Sequence, residues 1–183
     1  MELKRLNLGC GTDRKEGWVN LDSADIPGVD VVHDIEKLPL PFPDNSFDEI
    51  LCQDILEHVE YIPVLKDLHR ILAPGGALHI RVPHFTAKNN FIDPTHKKLF
   101  SVNTFDYFIQ NSRSFERRSY YFDFSFSSLR NRTLTFERSS RIFFLNRFVA
   151  PFVNKSTRRQ ELYESTWLSR IFPAQNIIVT FSK

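Results

Sequence analysis

The stretch that decides the fold is residues 47–82, which read FDEILCQDILEHVEYIPVLKDLHRILAPGGALHIRV. Residues 47–52 form a short run that is typical of a buried strand. From Val59 to Leu72 the apolar residues recur at steps of three and four, which predicts a helix with one apolar face. Gly75 and Gly76 end that helix, and residues 77–82 predict a second strand. A strand, a helix and a strand in this order predict a parallel crossover unit.

Shorter strands are predicted on both sides of this unit. Upstream, the apolar runs cover residues 3–8, 18–21 and 28–33, and Asp22 and Asp34 follow the second and third runs. Downstream, residues 176–181 predict a final strand, and residues 163–172 predict a helix before it. Strands interspersed with helices predict an α/β fold with a Rossmann-like, mostly parallel sheet and helices on both faces. Its ligand crevice is expected at the carboxyl ends of the strands.

The segment 85–160 has a less regular pattern. Residues 120–126 and 133–144 each fit a strand, and residues 143–153 fit an apolar helix interrupted at Pro151. Fifteen of the eighteen phenylalanines lie after residue 90. The alternating aromatics of 120–126 favour one buried face of a strand.

Composition indicates one globular domain. The chain has 183 residues, of which 42% are hydrophobic and 25% charged, and this excludes a mainly disordered chain. Residues 1–90 carry nine Lys/Arg and fifteen Asp/Glu, whereas residues 91–183 carry fifteen and seven. The two halves are therefore expected to have different roles.

Targeting and redox signals are weak. No apolar run approaches the ~18 residues of a membrane span, and the N-terminus has no secretory pattern, so we expect a cytoplasmic protein. The two cysteines, Cys10 and Cys52, are too few for a disulfide scaffold and lack zinc-site spacing. We expect free thiols and no bound metal.

The loop LNLGCG, residues 6–11, leaves the first strand through two glycines that let a ligand approach the backbone. Arg14 stands where a dinucleotide site would have its third glycine, and a phosphate-binding P-loop motif is absent. Asp22 can accept from the two hydroxyls of a ribose, and Asp34 from the amine of adenine. A nucleoside fits these features. The alternatives are that Asp22 caps a turn and that Asp34 caps residues 35–38.

The order of these motifs resembles that of class I S-adenosylmethionine-dependent methyltransferases, in particular the type 11 group. The resemblance covers about residues 3–85 and is carried by LNLGCG, LD, HDIEKLPLPFPDNSFDEI, QDILEHV and LHRILAPGGALHIRVPHF. It implies S-adenosyl-L-methionine as cofactor. The positions that it implies for cofactor binding are Gly9, Cys10, Gly11, Asp22, Asp34, Ile35, Gln53 and Asp54.

Glu57 and His58 match the family pattern after the fourth strand. The alternative for His58 is that it packs the start of the helix.

The resemblance also bears on the domain organisation of the chain. It implies one domain, 1–183, with a cofactor-binding half at 1–84, an acceptor and lid region at 85–160, and a final helix and strand at 161–183.

The chain departs from the family at its N-terminal end. Most relatives have a helix before the first strand, whereas here the first predicted strand begins at residue 3, so we expect a trimmed N-terminal side. Only residues 9–17 connect the first two strands, too few for the usual crossover helix but enough to span the distance. We expect a thinly covered cofactor site whose lid comes from residues 85–160 or from a second subunit, so that a homodimer is one expectation.

Three residues are predicted to be catalytic. His84 follows the fifth strand at the ligand end of the sheet, where a neutral imidazole can take a proton from an acceptor. Asp93 and His96 lie in DPTHKKLFS, which resembles sequences of the same group. The alternatives are a strand-end histidine bonded to backbone, a loop-fixing Asp93–His96 pair, and a metal site made by all three residues.

The expected function is methyl transfer to a small-molecule or glycan acceptor. One alternative is a cofactor-binding module without catalysis. Another is a nucleic-acid methyltransferase, because arginines alternate with aromatics in the second half, at positions 113, 117, 118, 130, 132, 138 and 141. Residues 141–159 also fit a helix that contacts an anionic membrane surface peripherally, through Phe143, Phe144, Phe148 and Phe152.

Overall fold

The computed structural model describes residues 3–137 and 144–183. The strands are β1 (Arg5–Leu8), β2 (Val19–Asp22), β3 (Val31–Val32), β4 (Phe47–Gln53), β5 (Leu72–Pro83), β6 (Ser128–Phe136) and β7 (Ala174–Ser182). The α-helices are α1 (Tyr61–Ile71), α2 (Asn89–Ile92), α3 (Arg113–Arg118), α4 (Asn146–Val153), α5 (Thr157–Glu164) and α6 (Leu168–Ile171). Two 3-10 helices cover Thr104–Phe108 and Ser119–Tyr121.

The seven strands form one sheet in the order β3-β2-β1-β4-β5-β7-β6. Strands β1 to β5 pair in parallel, β7 is antiparallel to β5, and β6 is antiparallel to β7. This confirms the predicted Rossmann-like, mostly parallel sheet. The strand order reverses between β1 and β4, and at such a reversal α/β sheets bind ligands beyond the carboxyl ends of the strands.

The predicted strand-helix-strand unit is β4-α1-β5. Helix α1 buries the face formed by Val64, Leu65, Leu68 and Ile71 in the core, as its spacing predicts. Strand β5 begins earlier than predicted, because Leu72 already pairs with Phe47 while Gly75, at φ +77°, makes the turn. The unit places the ends of β4 and β5 side by side.

The connection between β1 and β2 has no helix, as predicted, and two buried asparagines hold it. Asn7 Nδ2 donates to the Asp13 carbonyl at 2.8 Å and to Asn20 Oδ1 at 3.1 Å. Asn20 Oδ1 also accepts from the Lys15 backbone N–H at 2.9 Å. These bonds satisfy backbone groups that a helix would otherwise have paired.

The second half differs from its prediction at two places. Residues 120–126 form no strand: Tyr120 and Tyr121 are exposed, and Phe126 makes an isolated bridge with Ile109. Phe124 and Phe126 are nevertheless buried, so the alternation of aromatics reflects core packing without strand pairing.

The helix predicted at 163–172 is two helices, α5 and α6, because the chain leaves helical geometry after Glu164. Strand β6 covers the first part of the strand predicted at 133–144, and the rest falls on residues 138–143, outside the described residues. Helix α4 continues through Pro151 to Val153.

In the described part of the chain, no helix has both the length and the apolar content needed to cross a bilayer.

Candidate functional site

Two cavities adjoin at the carboxyl ends of the parallel strands. The first, which we call the Asp22 cavity, has a volume of about 310 Å³. The second, the Arg81 cavity, has a volume of about 470 Å³. His58 lines both. Ligands bound in the two cavities would therefore meet at His58.

The Asp22 cavity brings together four of the predicted cofactor residues. Its lining includes Gly9, Asp22, Asp34 and Ile35. Gly9 has φ +64°, and a Cβ added there would lie 2.1 Å from Ile55 Cδ1. A side chain here would force Ile55 to move and would adopt a backbone conformation that is strained for residues other than glycine, so glycine suits this position.

Asp22 anchors the glycine loop and keeps acceptor capacity. Its Oδ2 accepts from the Gly11 N–H at 2.7 Å, and its Oδ1 accepts from the Ala24 N–H at 2.9 Å. An ionised carboxylate has about four lone-pair sites, so about two remain for a ligand. The turn-capping alternative and the ligand-binding prediction for Asp22 are therefore compatible.

Asp34 likewise caps a turn on the cavity wall. Its Oδ1 accepts from the Glu36 N–H at 3.1 Å, and its backbone carbonyl accepts from the Lys37 N–H at 2.9 Å. The capping alternative is thus present in the structure, while the carboxylate stays half exposed beside the cavity.

The other predicted cofactor residues occupy different places. Cys10 is buried, and burial followed by the Asp22 charge raises the pKa of its thiol. Gly11 has its N–H bonded to Asp22, and Gln53 ends β4. In the part of the chain that the structure describes, these three residues do not line either cavity. Asp54 lines the Arg81 cavity instead.

Asp54 and Arg81 form an ion pair in the wall of the Arg81 cavity. Arg81 Nε donates to Asp54 Oδ1 at 2.9 Å, and Arg81 Nη2 also donates to Asp54 Oδ2. Asp54 has φ +55°, and its backbone N–H donates to the Arg81 carbonyl at 2.9 Å. The pair joins the ends of β4 and β5 and presents a cation and an anion to the cavity.

Glu57 is a buried carboxyl in the same cavity wall. The residue has no exposed surface, and neither side-chain oxygen has a hydrogen-bond partner among the described residues. Burial raises the pKa of this carboxyl to about 7, and the nearby Asp54 charge also raises it. The sequence marked Glu57 only through the family pattern, because burial depends on the fold.

Asp93, Thr95 and His58 form a hydrogen-bond chain. Asp93 Oδ1 accepts from the Thr95 hydroxyl at 2.6 Å and from the Thr95 N–H at 2.9 Å, and these bonds lower the pKa of Asp93. Thr95 Oγ1 lies 2.9 Å from His58 Nδ1. The rings of His58 and His96 meet edge to face, with centroids 4.7 Å apart. The loop-fixing alternative for Asp93 is therefore present, and both Asp93 and His96 line the Arg81 cavity.

His84 lies elsewhere. Its side chain is fully buried, Nε2 is 2.8 Å from Glu164 Oε1, and Nδ1 is 2.7 Å from Thr86 Oγ1. The Glu164 carboxylate also accepts from the Val102 N–H at 2.8 Å. The structure thus brings Asp93 and His96 together at the cavity, whereas His84 is buried against Thr86 and Glu164 and does not line the cavity.

Comparisons with known proteins agree with this architecture. The family described as "Methyltransferase domain" matches residues 10–80. A demethylmenaquinone methyltransferase from Listeria welshimeri is 40% identical over 65 residues, which are 35% of this chain and 27% of that protein. The matched region therefore spans about a quarter of the curated relative's length.

Solved structures share the fold over the whole chain. A SAM-dependent methyltransferase from Archaeoglobus fulgidus has a TM-score of 0.62 at 20% identity, covering 99% of this chain and 86% of that one. The [4+2]-cyclase SpnF has a TM-score of 0.56 at 14% identity, covering 99% and 74%. The fold thus hosts more than one activity. The sequence match covers residues 10–80, and the solved structures show that the whole chain shares the fold of S-adenosylmethionine-dependent methyltransferases.

Proposed function

We propose that the chain binds S-adenosyl-L-methionine and transfers its methyl group to a small-molecule or glycan acceptor. The observation that carries the proposal is the junction of the two cavities at His58, with Asp22 in one cavity and a set of polar side chains in the other. The match of residues 10–80 to the methyltransferase domain family supports the same chemistry.

The residues of the Asp22 cavity fit the nucleoside of this cofactor. The remaining lone pairs of Asp22 suit two adjacent ribose hydroxyls, and the Asp34 carboxylate suits an exocyclic amine. The missing side chain at Gly9 leaves the backbone open to close approach. Ile35 and Ile55 supply apolar surface for a planar base.

In methyl transfer the bound cofactor supplies a carbon already activated by a sulfonium. The chain's own part is to hold the acceptor atom in line with that carbon and to exclude competing water. Asp93 and His96, two of the predicted catalytic residues, are placed for this at the Arg81 cavity. For His84, burial with both ring nitrogens bonded favours a positioning role, and its predicted role as a base remains untested.

The proposal also covers domain organisation, location, oligomeric state and membrane contact. One hydrophobic core cluster contains residues from both halves, which supports a single domain. A cytoplasmic location and a homodimer stay predictions. Peripheral membrane contact also stays a prediction, supported by exposed Phe144, Phe148 and Phe152 beside Arg147.

The nucleic-acid alternative has less support. Arg132 is buried in bonds to Asp106 and to Asn103, and Arg130 donates to Gly75 and Ser182. The Arg132 guanidinium is therefore engaged inside the fold, whereas Arg130 is exposed and bonded at the surface. Arg138 and Arg141 lie outside the described residues. If nucleic acid were the substrate, affinity would fall steeply with salt.

Isothermal titration with S-adenosyl-L-methionine tests cofactor binding. We expect one site in the wild type and a loss on the order of 100-fold in Asp22→Ala, because two hydrogen bonds to a charged group disappear. Asp25→Ala removes an exposed acid from the same loop and is the matched control. Equal affinity in both variants would contradict the proposed site.

Turnover needs a second measurement. S-adenosylhomocysteine formation, followed with small-molecule and glycan acceptors, is expected to require an acceptor. Cofactor binding without turnover on any acceptor would favour the binding-module alternative.

A further inference from the structure

Three ligand groups converge on one wall of the Arg81 cavity. One ligand atom from each of Glu57, His58 and His96 lies within 4.8 Å of the others. All three residues line the cavity. Among the described residues, this is the group of His, Cys, Asp and Glu side chains that converges closely enough to hold a metal ion.

The Glu57 carboxylate is buried and lacks a partner. A buried charge or polar group without hydrogen bonds costs free energy, so natural proteins almost always supply a partner from protein, water or an ion. Neither Glu57 side-chain oxygen has a partner within the described part of the chain. A cation in the cavity wall would satisfy both oxygens.

His58 is oriented as a metal-binding histidine commonly is. The Thr95 hydroxyl donates to Asp93 Oδ1, so Thr95 Oγ1 is left to accept from Nδ1–H of His58. This assignment follows from the hydrogen-bond network and leaves the lone pair of His58 Nε2 free. Metal-ligating histidines typically have their second ring nitrogen held by such a partner.

His96 also keeps a free ring nitrogen. Its Nδ1 is buried and has no hydrogen-bond partner among the residues described, while Nε2 lies 3.8 Å from Asp93 Oδ2. Asp93 is hydrogen-bonded to Thr95 Oγ1, which bonds Nδ1 of His58, but its distance from Nε2 of His96 exceeds that of a hydrogen bond. The Thr95 bond to His58 is the kind of outer contact that holds a metal-binding imidazole.

We propose that Glu57, His58 and His96 bind one divalent transition-metal ion of the zinc class. Two imidazoles and one carboxylate suit Zn²⁺ or Fe²⁺ better than Mg²⁺, which prefers oxygen ligands. Ligand atoms of a tetrahedral zinc site lie ~3.3 Å apart, so the three side chains need only a small closing movement. Because the cluster faces the cavity, a fourth position is open to water or to an acceptor oxygen.

The role of the ion in catalysis rests on the proposed function, but its binding does not. An ion at this wall would bind and polarise an oxygen of the acceptor. It would also give a role to the meeting of LEHV, residues 56–59, with DPTH, residues 93–96, in one place. Binding is measurable without cofactor or acceptor.

The test is titration of the full chain, made metal-free with a chelator, with Zn²⁺ alone. We expect one equivalent to bind to the wild type, and at least ~100-fold weaker binding in Glu57→Gln, His58→Ala and His96→Ala. Thr95→Val removes only the outer partner and should weaken binding ~10-fold. His79→Gln is the matched control, because His79 on β5 pairs with Glu49 on β4 and does not belong to the cluster.

Co²⁺ absorption gives a second readout. Nitrogen and oxygen ligands give visible bands without the intense near-ultraviolet band of a thiolate, so the spectrum separates this site from Cys10 or Cys52. Zn²⁺ affinity that is equal in the wild type and all three ligand variants, or a thiolate spectrum, would overturn the proposal. The proposal would also be overturned if the wild-type chain bound S-adenosyl-L-methionine but did not bind one equivalent of Zn²⁺. That result would leave the proposed function intact.

Discussion

The two cavities differ in how their polar groups are satisfied. In the Asp22 cavity, Asp22 and Asp34 accept hydrogen bonds from backbone N–H groups: Asp22 from Gly11 and Ala24, and Asp34 from Glu36. In the Arg81 cavity, Glu57 and His96 keep buried polar atoms without partners among the described residues. The polar groups of the Asp22 cavity are therefore already paired before any ligand binds. In the Arg81 cavity, a bound ligand would supply partners that the buried polar atoms lack.

This contrast suits a shared cofactor and a particular acceptor. The cofactor site is formed by a glycine loop and by acids at the ends of neighbouring strands, which follow one another in a fixed order along the chain. An acceptor site must be assembled from segments far apart in the chain, here residues 54–58, 81–83, 89–96 and 176. Substitutions in one cavity are therefore expected to affect the ligand of that cavity and to spare the ligand of the other.

The largest effect is expected for His84→Ala. The change removes the bond to the mostly buried Glu164 carboxylate and should lower the free energy of unfolding by about 3 kcal/mol. Urea denaturation measures the change. Because Asn90 donates to the His84 carbonyl at 2.6 Å, the segment carrying the Arg81 cavity should loosen while cofactor affinity stays within about threefold.

His84→Gln is the accompanying control, since it keeps a hydrogen-bonding side chain. If it restores stability and turnover together, His84 is a positioning residue. Restored stability with lost turnover would instead support its predicted role as a base.

The next effect is expected for Gly9→Ala. The added Cβ meets Ile55 and occupies a backbone with positive φ, so we expect a loss of about 2 kcal/mol in the free energy of unfolding. Cofactor affinity should fall and Zn²⁺ affinity should stay unchanged, as measured by titration.

The double variant Gly9→Ala/Ile55→Ala relieves the contact but not the strain at φ. We expect Gly9→Ala to cost less free energy of unfolding when it is added to Ile55→Ala than when it is made in the wild type. An equal cost would mean that the positive φ alone decides the position.

A smaller effect is expected for Asp22→Asn. The amide keeps one oxygen that can cap the turn but loses the charge and part of the capacity to accept. Cofactor affinity should fall on the order of 10-fold, less than in Asp22→Ala, with thermal stability nearly unchanged. Equal losses in both variants would show that the ribose contact needs the full carboxylate.

The smallest effect lies outside both cavities, at His69. Its ring packs edge-on against Phe126, and burial, followed by the Lys183 charge, lowers its pKa below the ordinary 6.5. The unfolded state then binds the proton more tightly, so stability is complete above pH 6.5 and declines as pH falls through the lowered value.

His69→Phe should remove this part of the pH dependence. Urea unfolding at several pH values measures it, with His33→Phe as a control at another partly exposed histidine. An unchanged pH slope in His69→Phe would show that other groups dominate acid destabilisation.

Local patterns in the sequence were sufficient for the parallel half of the fold. The strand-helix-strand run of residues 47–82 became β4-α1-β5, and Asp22 and Asp34 reached one cavity wall because parallel strands end at the same edge of a sheet. Even the helix-free connection between β1 and β2 followed from its length alone. Such features depend on short-range spacing and on chain connectivity, both of which are written in the sequence.

Tertiary structure decided what the second half does. In the aromatic run 120–126, Phe124 and Phe126 are buried in the core although the run forms no strand, and Phe126 makes an isolated bridge with Ile109. The burial of His84 and the unpartnered state of Glu57 likewise depend on residues from 39 to 80 positions away, such as His96 and Glu164. Exposure and pairing of a side chain are properties of the whole packed core, so no local pattern could specify them.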